Sequence, residues 1–161
     1  MELSTDQKYG SFSGKKISEF LETSTIPMRL SFTSPKGPMI VALWFHFSAN
    51  QISCCSPKDS LIVRSLEKQP EVAFDVSSNE IPYMGVRGRG KATLSQVGAE
   101  EQLDNLINKY INTTTHPFPN WLRKRAAQET LITIAPEWLH SWDFSARMAG
   151  LTSESTQQPS F

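Results

Sequence analysis

Seven short stretches of this chain alternate apolar and polar residues or run continuously apolar, and each ends at turn residues. A side-chain period of two belongs to strands, and its recurrence at hairpin spacing leaves little room for anything but an antiparallel sheet. The first, Met28–Thr33, puts Met28, Leu30 and Phe32 on one face and Arg29, Ser31 and Thr33 on the other. Pro38–Phe47 is almost wholly apolar, which predicts a strand buried on both faces. Ser48-Ala-Asn50 then forms a hairpin turn before Gln51–Cys55. Glu71–Ser77 and the long Tyr83–Ser95 follow. Thr130–Ala135 and Trp138–Phe144 read as two closing strands around Pro136. Helical spacing occurs at Lys15–Glu22, after Ser60, at Gly98–Tyr110 and at Trp121–Gln128. The pattern predicts one mainly β domain, a small antiparallel barrel with helical decorations.

Composition narrows the function classes. The 161 residues suffice for one domain with a real core. Formal net charge is zero, so no electrostatic footprint points to nucleic acid or an anionic membrane. No apolar run reaches membrane-helix length, and residues 1–14 lack a signal peptide's apolar segment. Residues 1–14 read as a flexible leader, 15–148 as the domain, and 149–161, rich in Ser, Thr, Gln and Pro, as a disordered tail. Cys54 and Cys55 are adjacent and point to opposite faces of a strand, which fits thiols in a reducing cytoplasm. In that setting the glycosylation sequon at Asn112 carries no meaning.

Three features could carry chemistry. The stretch Cys55–Pro70 reads as strand end, turn and short helix capped by Asp59 or Ser60. With Ser56, Ser60, Lys58 and Arg64 it could seat a phosphate, or be an ordinary solvated surface helix. Next, Gly85-Val-Arg-Gly-Arg-Gly90 lies inside a strand, so neither dinucleotide-fold nor P-loop mechanics apply. Glycines so dense weaken a strand unless something approaches it closely. Alternation there puts Arg87, Arg89 and Lys91 on one face, a solvated barrel wall or a cationic wall over an anionic ligand. Finally, four tryptophans are many for this length; Trp44 falls in the apolar strand, and Trp138 and Trp142 share a face. Such rings are core, or walls for a wide aromatic cofactor. His46, His116 and His140 are too scattered for a metal site, and no Gly-x-Ser-x-Gly marks a hydrolase.

In order and spacing, five stretches resemble the pyridoxamine-5′-phosphate-oxidase-like family of flavin-binding split barrels. They are Pro27-Met-Arg-Leu-Ser, Val41-Ala-Leu-Trp-Phe, Ser60 through Phe74, Pro82-Tyr-Met-Gly-Val-Arg-Gly-Arg-Gly and Ser141-Trp-Asp-Phe-Ser. The resemblance implies a homodimer with two flavin mononucleotides (FMN) at the interface and a small-molecule substrate. It places Arg29, Leu30 and Ser31 along the ribityl chain and phosphate, and the strand ending at Trp44 beside the flavin ring. Cys55, Ser56, Lys58, Ser60 and Arg64 would surround the phosphate, Tyr83 and Arg87 would lie near the interface, and Trp142 would come from the second subunit. The chain departs from the family in two places. Leu61 and Ile62 stand where many members carry two cations, so Lys58 and Arg64 would have to replace them. The C-terminal Arg-Leu-x-Pro-type motif of the vitamin-forming oxidases is missing, which argues against pyridoxamine phosphate as substrate. A flavin-dependent oxidoreductase is the resulting expectation. A deazaflavin-dependent reductase, a non-catalytic flavin carrier or sensor, and a haem-handling protein remain open.

Overall fold

A computed structural model describes residues 10–111 and 118–149. The element order is α1 (Gly14–Thr23), β1 (Met28–Ser34), β2 (Gly37–Leu43), β3 (His46–Ser48), β4 (Gln51–Pro57), α2 (Leu61–Leu66), β5 (Glu71–Ser77), β6 (Met84–Ser95), α3 (Ala99–Tyr110) and α4 (Phe118–Arg123). A 3-10 turn at Ala126–Gln128 leads into β7 (Glu129–Asp143), and α5 (Ser145–Met148) ends the described chain. The strands form one seven-stranded antiparallel sheet in the order β2-β1-β5-β6-β7-β4-β3.

The two outermost strands, β2 and β3, are consecutive in the chain, and only Trp44 and Phe45 separate them. Three Cα–Cα steps cannot span more than about 11 Å. The sheet must therefore curl until its two edges almost meet at this end, while β2 and β3 stay unpaired: a barrel with a seam. α3 clamps the join. The Trp44 and Tyr110 rings stack at 5.3 Å and 13°. The Phe45 N–H donates to the Tyr110 hydroxyl (3.2 Å), which donates to the Phe45 carbonyl (3.3 Å), and Lys109 Nζ donates to the same carbonyl (3.2 Å). Phe45 itself is fully buried.

Inside the barrel lie the inward faces of the strands, Leu30, Phe32, Ile52, Phe74, Val86, Ile132 and Leu139 among them. α1 adds Ile17 and Leu21, and α2 adds Ile62, Val63 and Leu66. Each such side chain contributes roughly 1.5–3 kcal/mol by leaving water, so this core holds the sheet together with α1 and α2. Between β3 and β4, Ala49 and Asn50 both take positive φ, as a two-residue turn that follows the sheet twist requires.

Several expectations need correction. The apolar run Pro38–Phe47 is not one doubly buried strand: β2 stops at Leu43 and forms an edge, leaving Ile40 72% and Met39 43% exposed. The closing strands are one, β7, continuous through Pro136. A register shift between Arg89 and Gly90 lets Pro136 sit opposite Gly90, beyond the end of the β4 ladder, where its missing N–H costs nothing. Nor are residues 10–13 loose. Ser11 N–H donates to the Ser141 carbonyl (3.2 Å), Phe12 N–H donates to Ser141 Oγ (2.9 Å), and the Phe12 ring joins the core at 3% exposure. The sequence hid this because one aromatic residue in a polar stretch gives no periodicity. The rest of the leader, the sequon and the tail after Ala149 lie outside the described residues. Among those described, no helix is long and apolar enough to cross a membrane.

The Tyr110 clamp yields a prediction. Tyr110→Phe keeps the stack but leaves the Phe45 N–H without its partner, which should cost about 1–3 kcal/mol in urea unfolding. An unchanged midpoint would show that the join does not depend on the hydroxyl.

Candidate functional site: a cationic sheet face and a cavity under the helices

The outward faces of β1, β5, β6 and β7 form a continuous wall. Strand registers set Arg29, Asp75, Arg87 and His140 in one row, and Ser31, Ala73, Arg89 and Trp138 in the next. Three guanidinium groups therefore face one carboxylate. A groove of about 560 Å³ runs across the wall, lined by Arg29, Ser31, Ile40, Asp75, Arg87 and Trp138 among others. Arg29 Nη2 donates to Asn79 Oδ1 at 2.9 Å, but Nη1 is shielded from solvent and has no hydrogen-bond partner. Asp75 Oδ1 accepts from the Ser77 hydroxyl at 2.6 Å, and among the described residues it forms no ion pair with Arg29 or Arg87. An arginine in this state is a seat for an anion, since its planar fork gains most from two oxygens of one carboxylate or phosphate.

Flat rings flank the cations. The Arg87 guanidinium lies 5.7 Å from the Trp142 ring, and that of Arg89 lies 5.8 Å from Trp138. Trp138 and His140 are parallel at 5.7 Å. Glycine explains how the Trp142 indole lies down on the sheet: a Cβ at Gly85 would stand 2.7 Å from the ring. What approaches the glycine-rich strand is thus the protein itself, with Phe74 over Gly88 and the Ala135 carbonyl against Gly90.

The stretch expected to seat a phosphate is built differently. α2 is six residues long, and Ser60 caps it by accepting from the Val63 N–H (3.3 Å). The Ser56 hydroxyl, buried, donates to Ser60 Oγ at 3.0 Å. Both hydroxyls are thus engaged inside the protein, while Lys58 and Arg64 are exposed. Cys55 points to the opposite face of β4, under α3, and its thiol donates to the Ala99 carbonyl at 3.6 Å. Of the other anticipated residues, Arg29, Ser31 and Arg87 line the groove, Trp142 flanks it, and exposed Tyr83 precedes β6. Leu30 has its side chain wholly in the core, so only its backbone could meet a ligand. Trp44 and Cys55 line a different cavity. Asp75 was not anticipated, although strand alternation with the correct register would have put it here; Arg89 and Trp138 were read as a wall cation and a ring, without the register that sets them side by side.

That second cavity, about 320 Å³, lies between the end of β2, β4, β7 and the helices α3 and α4. Its walls include Trp44, Pro57, Leu106 and Trp121, and its two charged groups are Arg125 and Glu129. Burial pushes the Cys55 thiol up to about 12, with the Glu129 charge adding to the shift, and burial holds Cys54 higher still. Neither thiol supplies a thiolate at neutral pH. Burial also raises Glu129, against the opposing pull of Arg125. Among the described residues no cluster of His, Cys, Asp and Glu could hold a metal.

No family model and no curated protein sequence matches the chain. Solved structures do. A conserved hypothetical protein of Mycobacterium tuberculosis, Rv2991, superposes with TM-score 0.72 at 18% identity, covering 98% of this chain and 97% of its own. An F420 reductase gives TM-score 0.60 at 21% identity, covering 75% of this chain and 94% of its own. A Listeria innocua protein described as a candidate pyridoxamine 5′-phosphate oxidase gives TM-score 0.60 at 16% identity, covering 81% and 97%. The chain has the split-barrel fold of the pyridoxamine-5′-phosphate-oxidase-like proteins.

Gly85 supplies a test of the wall. Gly85→Ala should displace the Trp142 indole, lowering stability by about 1–3 kcal/mol and shifting tryptophan emission. Unchanged emission and stability would mean the ring does not rest on that glycine in solution.

Proposed function

We propose that this chain is a flavin-dependent oxidoreductase that holds FMN on the cationic face of its barrel, as a homodimer acting on a small-molecule substrate. The observation that carries the reading is Arg29, whose shielded Nη1 lacks a partner in a groove that also holds Arg87 and Arg89. A buried donor without an acceptor costs about 1–3 kcal/mol, and a phosphate oxygen would remove that cost. The groove volume suits a nucleotide-sized ligand, and Trp138 and Trp142 offer flat surfaces of the kind an isoalloxazine ring stacks on. When bound, the flavin supplies the redox chemistry; the protein's part is to bind, orient and exclude water. Arg29 and Arg87 hold the anionic end, Ser31 offers a hydroxyl to the polyol chain, and the indoles limit access of solvent to the ring. Asp75, held by Ser77, sits in the same row and offsets part of the guanidinium charge. A second copy of the chain covering the exposed Met39 and Ile40 would close the groove from above.

A deazaflavin cofactor is the second reading. Arg87, Arg89 and Lys91 alternate along one face of β6, a line of cations longer than one phosphate needs and suited to a polyanionic tail. The structurally similar F420 reductase supports it.

Titration of apo-protein with FMN, followed by fluorescence quenching, tests the proposal. Losing one charge-assisted hydrogen bond weakens binding by about 10- to 100-fold, the loss expected for Arg29→Ala. Lys58→Ala and Arg64→Ala should bind as wild type, because both side chains face solvent away from the groove. Wild-type affinity in Arg29→Ala, or loss in the other two, would overturn the placement. Parallel titration with a deazaflavin separates the two readings: tighter deazaflavin binding that fails in Lys91→Ala favours the second. Sedimentation as a concentration-independent monomer would remove the dimer.

A further inference from the structure

We propose that a third cavity, on the other flank of α3, is a binding site for a small, neutral, polyhydroxylated ring, a monosaccharide or cyclic polyol, taken up independently of the groove. The cavity is about 310 Å³ and lies between the β3–β4 hairpin, β7 and the first turns of α3. It shares no residue with the groove or with the space beside Trp44, nor with the residues that the family resemblance gives to the flavin. Gln102 is the observation that carries the proposal. Its side chain lines the cavity, and its Nε2 is shielded from solvent and has no hydrogen-bond partner among the described residues. A polar group is seldom left so, because its desolvation goes uncompensated. The terminal torsion of a glutamine is soft, so a small turn presents the N–H groups to a ligand oxygen in the cavity. Gly98, also in the lining, takes the N-cap position of α3 and has no side chain to meet the free N–H groups of the first turn.

The rest of the lining selects the chemistry. Ser48 and Thr133 bring hydroxyls, and Gln51 and Asn105 join Gln102 in bringing amides. Each of these groups both donates and accepts, so a matching ligand must do both at several closely spaced points. Hydroxyls on neighbouring carbons do this. An ammonium only donates, and would leave Nε2 of Gln102 without an acceptor. An anion brings acceptors, but it meets the Glu101 carboxylate, and no basic residue lines the space to balance it. Glu100 and Glu101 also offset the helix dipole that would otherwise draw an anion to this end of α3. No aromatic residue lines the cavity, so a flat apolar ring finds no platform. What remains is a neutral polyol. The volume lies at the small end of ligand pockets and suits a single ring.

myo-Inositol, a cyclohexane ring with a hydroxyl on every carbon, is the probe, and cyclohexanol is the control that keeps the ring and one hydroxyl. Each is titrated into isotope-labelled full-length protein and followed by amide chemical shifts. Inositol should move the side-chain NH2 signals of Gln102 and the backbone amides of Gly98 and Thr133, and bind about tenfold tighter than cyclohexanol. Gln102→Met keeps the length of the side chain without its amide, and should weaken inositol by about tenfold, read at Gly98. Thr133→Val, which removes only the hydroxyl, should weaken it by about threefold. Saturating FMN should leave inositol affinity unchanged. A Gln102 NH2 that stays unmoved up to the solubility limit of inositol would overturn the proposal without recourse to any variant, and so would equal affinity for cyclohexanol. Wild-type inositol affinity in both variants, with circular dichroism matching the wild type, would overturn it as well. Displacement of inositol by FMN would overturn it too, because the cavity would then belong to the cofactor.

Discussion

The join at Trp44–Phe45 is the constraint on which the rest of the structure depends. A seven-stranded sheet of this length could lie open and twisted; two residues between its first and last strands forbid that. Once the edges are drawn together, β1, β5, β6 and β7 present a curved outer wall, and α3 is pinned across the seam by Lys109 and Tyr110. Lys109 pays for its place there: burial lowers its pKa, and the Phe45 carbonyl with the Phe45 and Tyr110 rings compensates the ammonium. The same clamp positions both candidate sites. It fixes Trp44 at the mouth of the α3–α4 cavity, and it orients β2 so that Ile40 reaches the groove on the other side.

The outer wall shows how backbone choices create electrostatics. Gly85, Gly88 and Gly90 of β6 allow a ring, a core phenyl group and a carbonyl to come closer than any side chain would permit. Arg87 and Arg89 alternate with the inward Gly88 and Gly90, so cations accumulate on the face where Trp142 and Trp138 lie. A net-neutral chain thereby acquires a locally positive surface. A zero net charge gives no electrostatic case for nucleic acid, and it says nothing about a single bound anion.

Much of this was legible in the sequence. Strand period gave β1, β4, β5 and β6 closely, with the cationic row on β6, because alternation survives wherever one face is buried. β2 was misread since an apolar run signals burial without saying by what, and the described chain leaves its outer side exposed at Ile40. Pro136 was read as a break because the end of the β4 ladder, which frees that position, depends on pairing between distant residues. How the hydroxyls after Cys55 are engaged was hidden for a related reason. Ser56 and Ser60 are the right residue types for binding an anion, but they bond to each other and to the helix they cap. Arg29 was anticipated through the stretch Pro27-Met-Arg-Leu-Ser, but its state was not. Its importance lies in what it lacks, a partner for Nη1, and only the packed structure reveals that.

The account's central claim is that the anionic end of the cofactor rests on Arg29. A crystal structure of the protein with FMN tests this directly. The account predicts a phosphate oxygen about 3 Å from Arg29 Nη1, with Arg87 nearby and the Ser56–Ser60 hydrogen bond intact. A phosphate lodged at Ser56 and Ser60, with Nη1 of Arg29 still unpartnered, would contradict it.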